Sequence, residues 1–314
     1  MMSVTAFAPA TVSNVACGFD VLGFALHEPG DHVTARWTSN SGVQIADISG
    51  DDGRLPRDAK RNTAGVAAEA VLRAVGEKRG VSLSIVKGLP LSSGLGGSAA
   101  SAAAAVVAVD ALIGARSTPE TLIACALEGE SHGAGSAHGD NIAPSICGGF
   151  VLVRRVTPPD VVKLPVPAGL TAVVVHPDLE IETAKARALL GTTVPLGDAV
   201  QQWANLGAFV HGLHTGDFNL ISRSLEDTIA EPRRAPLVPG LAAIKRAAID
   251  AGALGSSLSG SGPSLFALCV GRDTASRVAA AMEAAVHAHI GGHSQTYISD
   301  VAHQGARVVA SCDS

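Results

Sequence analysis

The chain has 314 residues, 47% of them hydrophobic and 16% charged, and a formal net charge of −5. Such a composition is globular rather than disordered, the length points to about two domains, and the acidic balance argues against a nucleic-acid surface. Aromatic residues make up only 3%, so the core is expected to be aliphatic and rich in alanine.

In chain order, the first half alternates short β-prone runs with turns. Apolar spacing predicts strands at 4–7, 32–37, 43–48 and 83–86, and helices at 64–75 and 99–113. A further helical pattern covers 119–127, opened by Thr118 as a cap and Pro119 in the first turn. A strand at 150–155 runs into a proline-rich break (Pro158-Pro159, then Pro165 and Pro167). The domain boundary is placed there, dividing the chain into 1–160 and 161–314. The second half is expected to open with a strand at 171–176. Helices follow at 183–190, 196–214, 217–229, 240–251 and 274–289, with strands at 264–270 and 295–301. Mixed helices and returning strands make an α+β pair of domains.

The five cysteines are scattered, odd in number and form no Cys-x-x-Cys; free thiols in a reducing cytoplasm are the expectation. No basic segment followed by an apolar one opens the chain, so a secretory signal is not expected. The longest apolar stretch, 99–113, is broken by Ser101 and Asp110 and is too short to span a bilayer.

The segment richest in chemistry is Pro90-Leu91-Ser92-Ser93-Gly94-Leu95-Gly96-Gly97-Ser98-Ala99-Ala100-Ser101. A β run leads in and an alanine-rich helix leads out. The glycines allow positive φ and close approach of a ligand to the backbone. From Ser98 onward, N–H groups at a helix N-terminus offer an anion cradle. A Walker A loop is excluded because the chain has no Gly-Lys pair. A dinucleotide fingerprint lacks the acidic strand end it needs about 20 residues on. Downstream, 129–133 fits Gly-x-Ser-x-Gly, but a hydrolase elbow needs a preceding strand and an oxyanion loop. The preceding segment is helical, and no His-Gly-Gly-Gly occurs.

The glycine loop resembles the central motif of the GHMP kinases, usually Pro-x-x-x-Gly-Leu-Gly-Ser-Ser-Ala; Gly97 replaces the first serine of the pair and Ser98 keeps the second. At the N-terminus, Ala8-Pro9-Ala10-Thr11-Val12-Ser13-Asn14 followed by Gly18-Phe19-Asp20-Val21-Leu22-Gly23 resembles the homoserine kinases within that superfamily, with Val15-Ala16-Cys17 where Leu-Gly-Pro is common. A third segment, 252–264, matches the superfamily's C-terminal glycine-serine loop and includes Gly260, Ser261 and Gly262.

The resemblance implies a ribosomal-protein-S5-like N-terminal domain plus a ferredoxin-like C-terminal domain. It implies ATP with Mg²⁺, L-homoserine as phosphoryl acceptor in threonine biosynthesis, no membrane or nucleic acid, and a homodimer. The loop from Pro90 to Ser101 would bind ATP, with Ser98 and Glu130 holding the metal. Asn14 and Asp20 would meet the substrate's amino end. Arg187 and Arg234 would meet its carboxylate, with Thr183 and His138 nearby; the neighbouring Arg233 leaves the assignment open to a slip of one. Asn141 stands where mevalonate-type kinases carry an aspartate that can act as base, which implies direct attack of the hydroxyl on the γ-phosphate. Asn62 is either part of the adenine pocket or an ordinary helix cap. Another GHMP small-molecule kinase and a non-catalytic ligand sensor of the same fold are the alternatives.

Overall fold

The computed structural model describes residues 2–134 and 138–312, arranged as two sheets with helices packed on them. The first sheet has seven strands. Its spine is β1 (Ser3–Ser13), β2 (Leu22–Thr38), β4 (Gly80–Val86) and β3 (Val43–Ser49), with β5 (Phe150–Arg155) pairing the start of β2 and β6 (Asp160–Leu164) pairing β5. The second sheet is antiparallel, in the order β10 (Ser294–Asp300), β7 (Leu170–Pro177), β9 (Leu265–Val270), β8 (Gly255–Leu258). This is the expected α+β division.

The first sheet extends past the expected boundary at 160/161 through two strands. β6 starts at Asp160, and its register with β5 keeps residues to Leu164 in the first sheet. β11 (Arg307–Cys312) returns to the same sheet and pairs antiparallel with β1, Ser3 opposite Cys312.

Against the first sheet lie α1 (Thr63–Val75), α2 (Gly97–Leu112), α3 (Pro119–Ala134) and α4 (Gly139–Cys147). Alanine explains the position of α2. Ala99, Ala100, Ala102–Ala105 and Ala108 are fully buried, so a helix apolar all round can lie at the centre with its backbone close to β1 and β2. The second half carries α5 (Thr183–Ala188), α6 (Leu196–Thr215), α7 (Phe218–Ser224), α8 (Ala230–Arg234), α9 (Leu241–Asp250) and α10 (Arg272–His289). The helix expected over 217–229 is shorter. Asp227 turns its carboxylate back onto the N–H groups of Ile229, Ala230 and Glu231, each at 2.8 Å, and starts α8 instead. Phe24 joins the layers, with ring centroids 4.8 Å from Phe150 and 6.0 Å from Phe266; Phe150 lies 5.8 Å from Phe209. No helix among the described residues is long and apolar enough to cross a membrane.

Candidate active site

A cleft of about 650 Å³ runs between the two layers. One wall is the glycine loop leading into α2. Gly96, at φ +66°, ends the loop in the left-handed region and is the N-cap of α2. A Cβ there would meet Thr11 Oγ1 at 2.2 Å and Asn141 Oδ1 at 2.8 Å, so only glycine lets the loop lie against these side chains. Thr11 in turn donates to Asn141 Oδ1 at 2.8 Å. Gly97 and Ser98, in the first turn of α2, line the cleft; the N–H groups of a helix's first turn have no partner within the helix and attract anions.

Beneath the cradle is a buried ammonium. Lys87 Nζ donates to Asp31, to the carbonyl of Gly97 at 2.7 Å and to Ser101 Oγ at 2.9 Å, and Ser101 donates to Asp31 at 2.7 Å. Charges this deep persist only when paired and hydrogen-bonded. Ser101 is thereby engaged with the ammonium and Asp31 and also borders the cleft. Leu95, Ala99 and Ala100 face the core, while Pro90, Leu91, Ser92, Ser93, Gly94, Gly97 and Ser98 line the cleft.

Ser98 Oγ donates to Glu130 Oε1 at 2.9 Å. His138 Nδ1 lies 3.5 Å from the same oxygen, and that hydrogen-bonding carboxylate raises the imidazole pKa. The other carboxylate oxygen, Glu130 Oε2, is buried without a hydrogen-bond partner among the described residues. A hydroxyl and a buried carboxylate with an open lone pair are hard oxygen donors of the kind Mg²⁺ takes; the residues present fit that ion. Residues 135–137, which connect α3 to His138, lie outside the described residues. Ser131 sits within α3 and donates to the Leu127 carbonyl at 2.9 Å, which removes the hydrolase-elbow reading.

The opposite wall carries side chains of both charges. Asn14 and Asp20 occupy a tight turn, both at positive φ (68° and 60°). Asn14 Oδ1 accepts from the Asp20 N–H at 3.0 Å. Arg187 Nη1, from α5, reaches both Asp20 oxygens at 2.9 and 2.7 Å. Arg234 is buried, and burial lowers its pKa; it donates Nη1 to the Gly260 carbonyl at 2.9 Å and leaves Nε unpartnered. Arg233 points away, donating to the Thr193 carbonyl, so Arg234 is the one in the cleft. Both cleft arginines lie over Phe19, their guanidinium carbons 5.6 Å (Arg187) and 5.3 Å (Arg234) from its ring centre. Thr183 Oγ1 is 3.4 Å from Ser261 Oγ at the mouth. Asp140 is buried below, its carboxylate accepting the Asn14 N–H at 3.2 Å; burial and the charge of Asp20 push its pKa up to about 6.

Asn62 lines the cleft but acts as the cap of α1. Its Oδ1 accepts from the N–H groups of Ala64 and Gly65, and its Nδ2 donates to the Pro56 carbonyl, so both ends of the amide are engaged. Gly260 and Ser261 line the cleft, whereas Gly262 packs behind them toward Leu258, Ile181 and Val238. Lys87, Asp31 and the Gly260 carbonyl were not singled out from the sequence, and Phe19 entered only as part of the N-terminal motif, without a role of its own. Lys87 did leave a signal, a lone cation at the end of an apolar strand.

The model of the GHMP kinases N terminal domain matches residues 62–149, and that of GHMP kinases C terminal matches 209–288. A homoserine kinase from Chlorobaculum tepidum is 46% identical over 99% of this chain and 99% of its own length. One from Xanthomonas campestris is 44% identical over 97% and 94%. Among solved structures, homoserine kinase from Cytophaga hutchinsonii superposes with a TM-score of 0.95 at 49% identity, covering 98% of this chain and 97% of that one. Mevalonate kinase from L. major, at 19% identity and a TM-score of 0.69, shares the fold. Likeness of this identity over nearly the full length, with both family models matching, shows the family: the chain belongs to the homoserine kinases of the GHMP kinase family.

Proposed function

We propose that the cleft transfers the γ-phosphoryl group of ATP to the side-chain hydroxyl of L-homoserine, giving O-phospho-L-homoserine. The observation that carries this reading is the Asp20–Arg187 pair beside Arg234. A free amino acid brings one partner for each member: its carboxylate replaces Asp20 on Arg187, and its ammonium replaces Arg187 on Asp20. The pair is more than a third exposed, so opening it costs little, whereas bidentate guanidinium–carboxylate contacts fix orientation. Arg234 supplies a second guanidinium with a spare N–H.

The polyphosphate lies along Ser92–Ser98, at the N-terminus of α2 and above Lys87. Ser98 and Glu130 would hold Mg²⁺, which supplies charge neutralisation between the β- and γ-phosphates. Asn141 offers an amide held by Thr11, not a carboxylate. We therefore assign no dedicated base. A loose transition state demands little nucleophile deprotonation, and positioning by Asp20, Arg187 and Arg234 supplies most of the advantage. The five free cysteines support a reducing, cytoplasmic setting. The exposed Leu196, Val200 and Trp203 on one face of α6 support a homodimer.

The test is ADP release with MgATP and a panel of L-homoserine, mevalonate, shikimate and galactose. Turnover with L-homoserine alone is the expected result. Turnover with another member would overturn the pocket assignment.

A further inference from the structure

The third motif does more than line the cleft. Its residues hold the nucleotide side and the amino-acid side to one another through backbone carbonyls. On the nucleotide side, buried Ser259 donates its hydroxyl to the Gly94 carbonyl at 2.8 Å, and buried Ser264 donates to the Ser93 carbonyl at 2.6 Å. The two loops touch so closely that a Cβ on Gly94 would lie 2.5 Å from the Ser259 carbonyl and 2.8 Å from that of Gly262. On the amino-acid side, the carbonyl of the next residue, Gly260, accepts from Asn14 Nδ2 and from Arg234 Nη1, both at 2.9 Å. The Gly260 N–H donates to the Ser13 carbonyl at 3.2 Å.

Two adjacent residues, Ser259 and Gly260, therefore separate the phosphate loop from two side chains of the zwitterion pocket, with a hydrogen bond at each end of that dipeptide. Ordering Ser93–Gly94 around a polyphosphate orders Ser259, and with it the carbonyl that sets the angles of Asn14 and Arg234. A ligand arriving second then meets a pocket whose ordering cost has already been met.

We infer that Ser259 and Ser264 are positioning residues that couple the two substrates, so that bound nucleotide tightens L-homoserine and L-homoserine tightens nucleotide by the same factor. The inference rests on the substrate reading above. Coupling between binding sites is reciprocal by thermodynamic necessity, which supplies an internal check.

The experiment is calorimetric titration of the full chain with L-homoserine, with and without a saturating non-hydrolysable ATP analogue and Mg²⁺, and then with the ligands in the reverse order. Wild type should show a mutual enhancement of about five-fold or more, the lower range of typical couplings. Ser259→Ala should bring the enhancement to within about two-fold while each ligand alone still binds, and Ser264→Ala should repeat the loss. Ser256→Ala is the control. It removes an equally buried hydroxyl of the same layer, bonded at 2.8 Å to the Phe266 carbonyl in the sheet. It should lower Tm and keep the coupling, which separates positioning from general stability. Coupling that survives Ser259→Ala, or that is absent in wild type, would overturn the inference and leave the substrate reading intact. Failure of L-homoserine to bind wild type in either state would overturn both.

Discussion

At the residue scale the cleft is governed by which atoms are already engaged. Arg187 and Arg234 present guanidinium N–H groups to the cavity, and Arg233 spends one on a loop carbonyl outside it. Replacing Arg187 or Arg234 by alanine should raise KM for L-homoserine roughly 10- to 150-fold, the equivalent of about 1.5–3 kcal/mol for a hydrogen bond to a charged group, whereas Arg233→Ala should stay within about two-fold. Steady-state kinetics with saturating MgATP decides it. The two adjacent glycines of the cradle should respond oppositely. Gly96→Ala places a methyl on Thr11 and Asn141 in a left-handed conformation and should abolish turnover. Gly97 is helical, and a Cβ there would have 3.6 Å to Lys87 Nζ. Gly97→Ser should therefore fold with unchanged Tm and keep activity within a few-fold.

Asp140 gives the pH dependence. Its folded pKa of about 6 lies above the ordinary 3.8, chiefly through burial. A raised pKa means that its contribution to stability is present below about pH 4 and lost as pH rises through 6. The raised pKa of His138 acts in the same direction. Asp140→Asn, permanently neutral, should gain stability relative to wild type as pH rises from 4 to 7, by on the order of 1–3 kcal/mol in all, read as a growing Tm difference; a difference independent of pH would refute the assignment.

At the element scale, short helices depend on their first turn. α8 has only five residues and would not persist in isolation. Asp227 supplies its start by accepting from three consecutive N–H groups. Asp227→Ala should cost about 2 kcal/mol and, because α8 carries Arg234, also raise KM for L-homoserine; thermal melts and kinetics on one preparation measure both. The sequence made the longer periodic elements legible: α1, α2 and α10 lie within two residues of their expected limits. It was less informative where residue type and role part company. β8 read as part of a glycine-serine loop because its serines are polar, yet Ser256 and Ser257 are buried and hydrogen-bonded. The motifs named the side chains that face the cleft. They could not name the Gly260 carbonyl, since a backbone acceptor leaves no mark on residue identity. Nor could they name the Lys87–Asp31 pair, because Asp31 on β2 and Lys87 just past the end of β4 are far apart in sequence.

At the scale of the whole molecule, two features bind the halves. The Phe266, Phe24, Phe150 and Phe209 rings form a continuous seam from the second sheet through the first and onto α6. These are four of only seven phenylalanines in the chain, so a composition poor in aromatics concentrates them where the layers meet. Edge-to-face and tilted contacts of this kind each add about 0.5–1.5 kcal/mol beyond burial. The second feature is β11, which leaves the C-terminal layer to pair with β1.

That return strand has a consequence for how the protein is made. A nascent chain grows at roughly 5–20 residues per second, so β1 leaves the ribosome tens of seconds before β11 exists. Throughout that interval the first sheet lacks the strand that covers β1, and β1 presents a row of unpaired N–H and C=O groups. The N-terminal half cannot complete its sheet as an independent unit during synthesis; the β1–β11 hydrogen bonds wait for residues 307–312. The stability of the first sheet should therefore rise in a late step, once residues 307–312 are free to pair with β1.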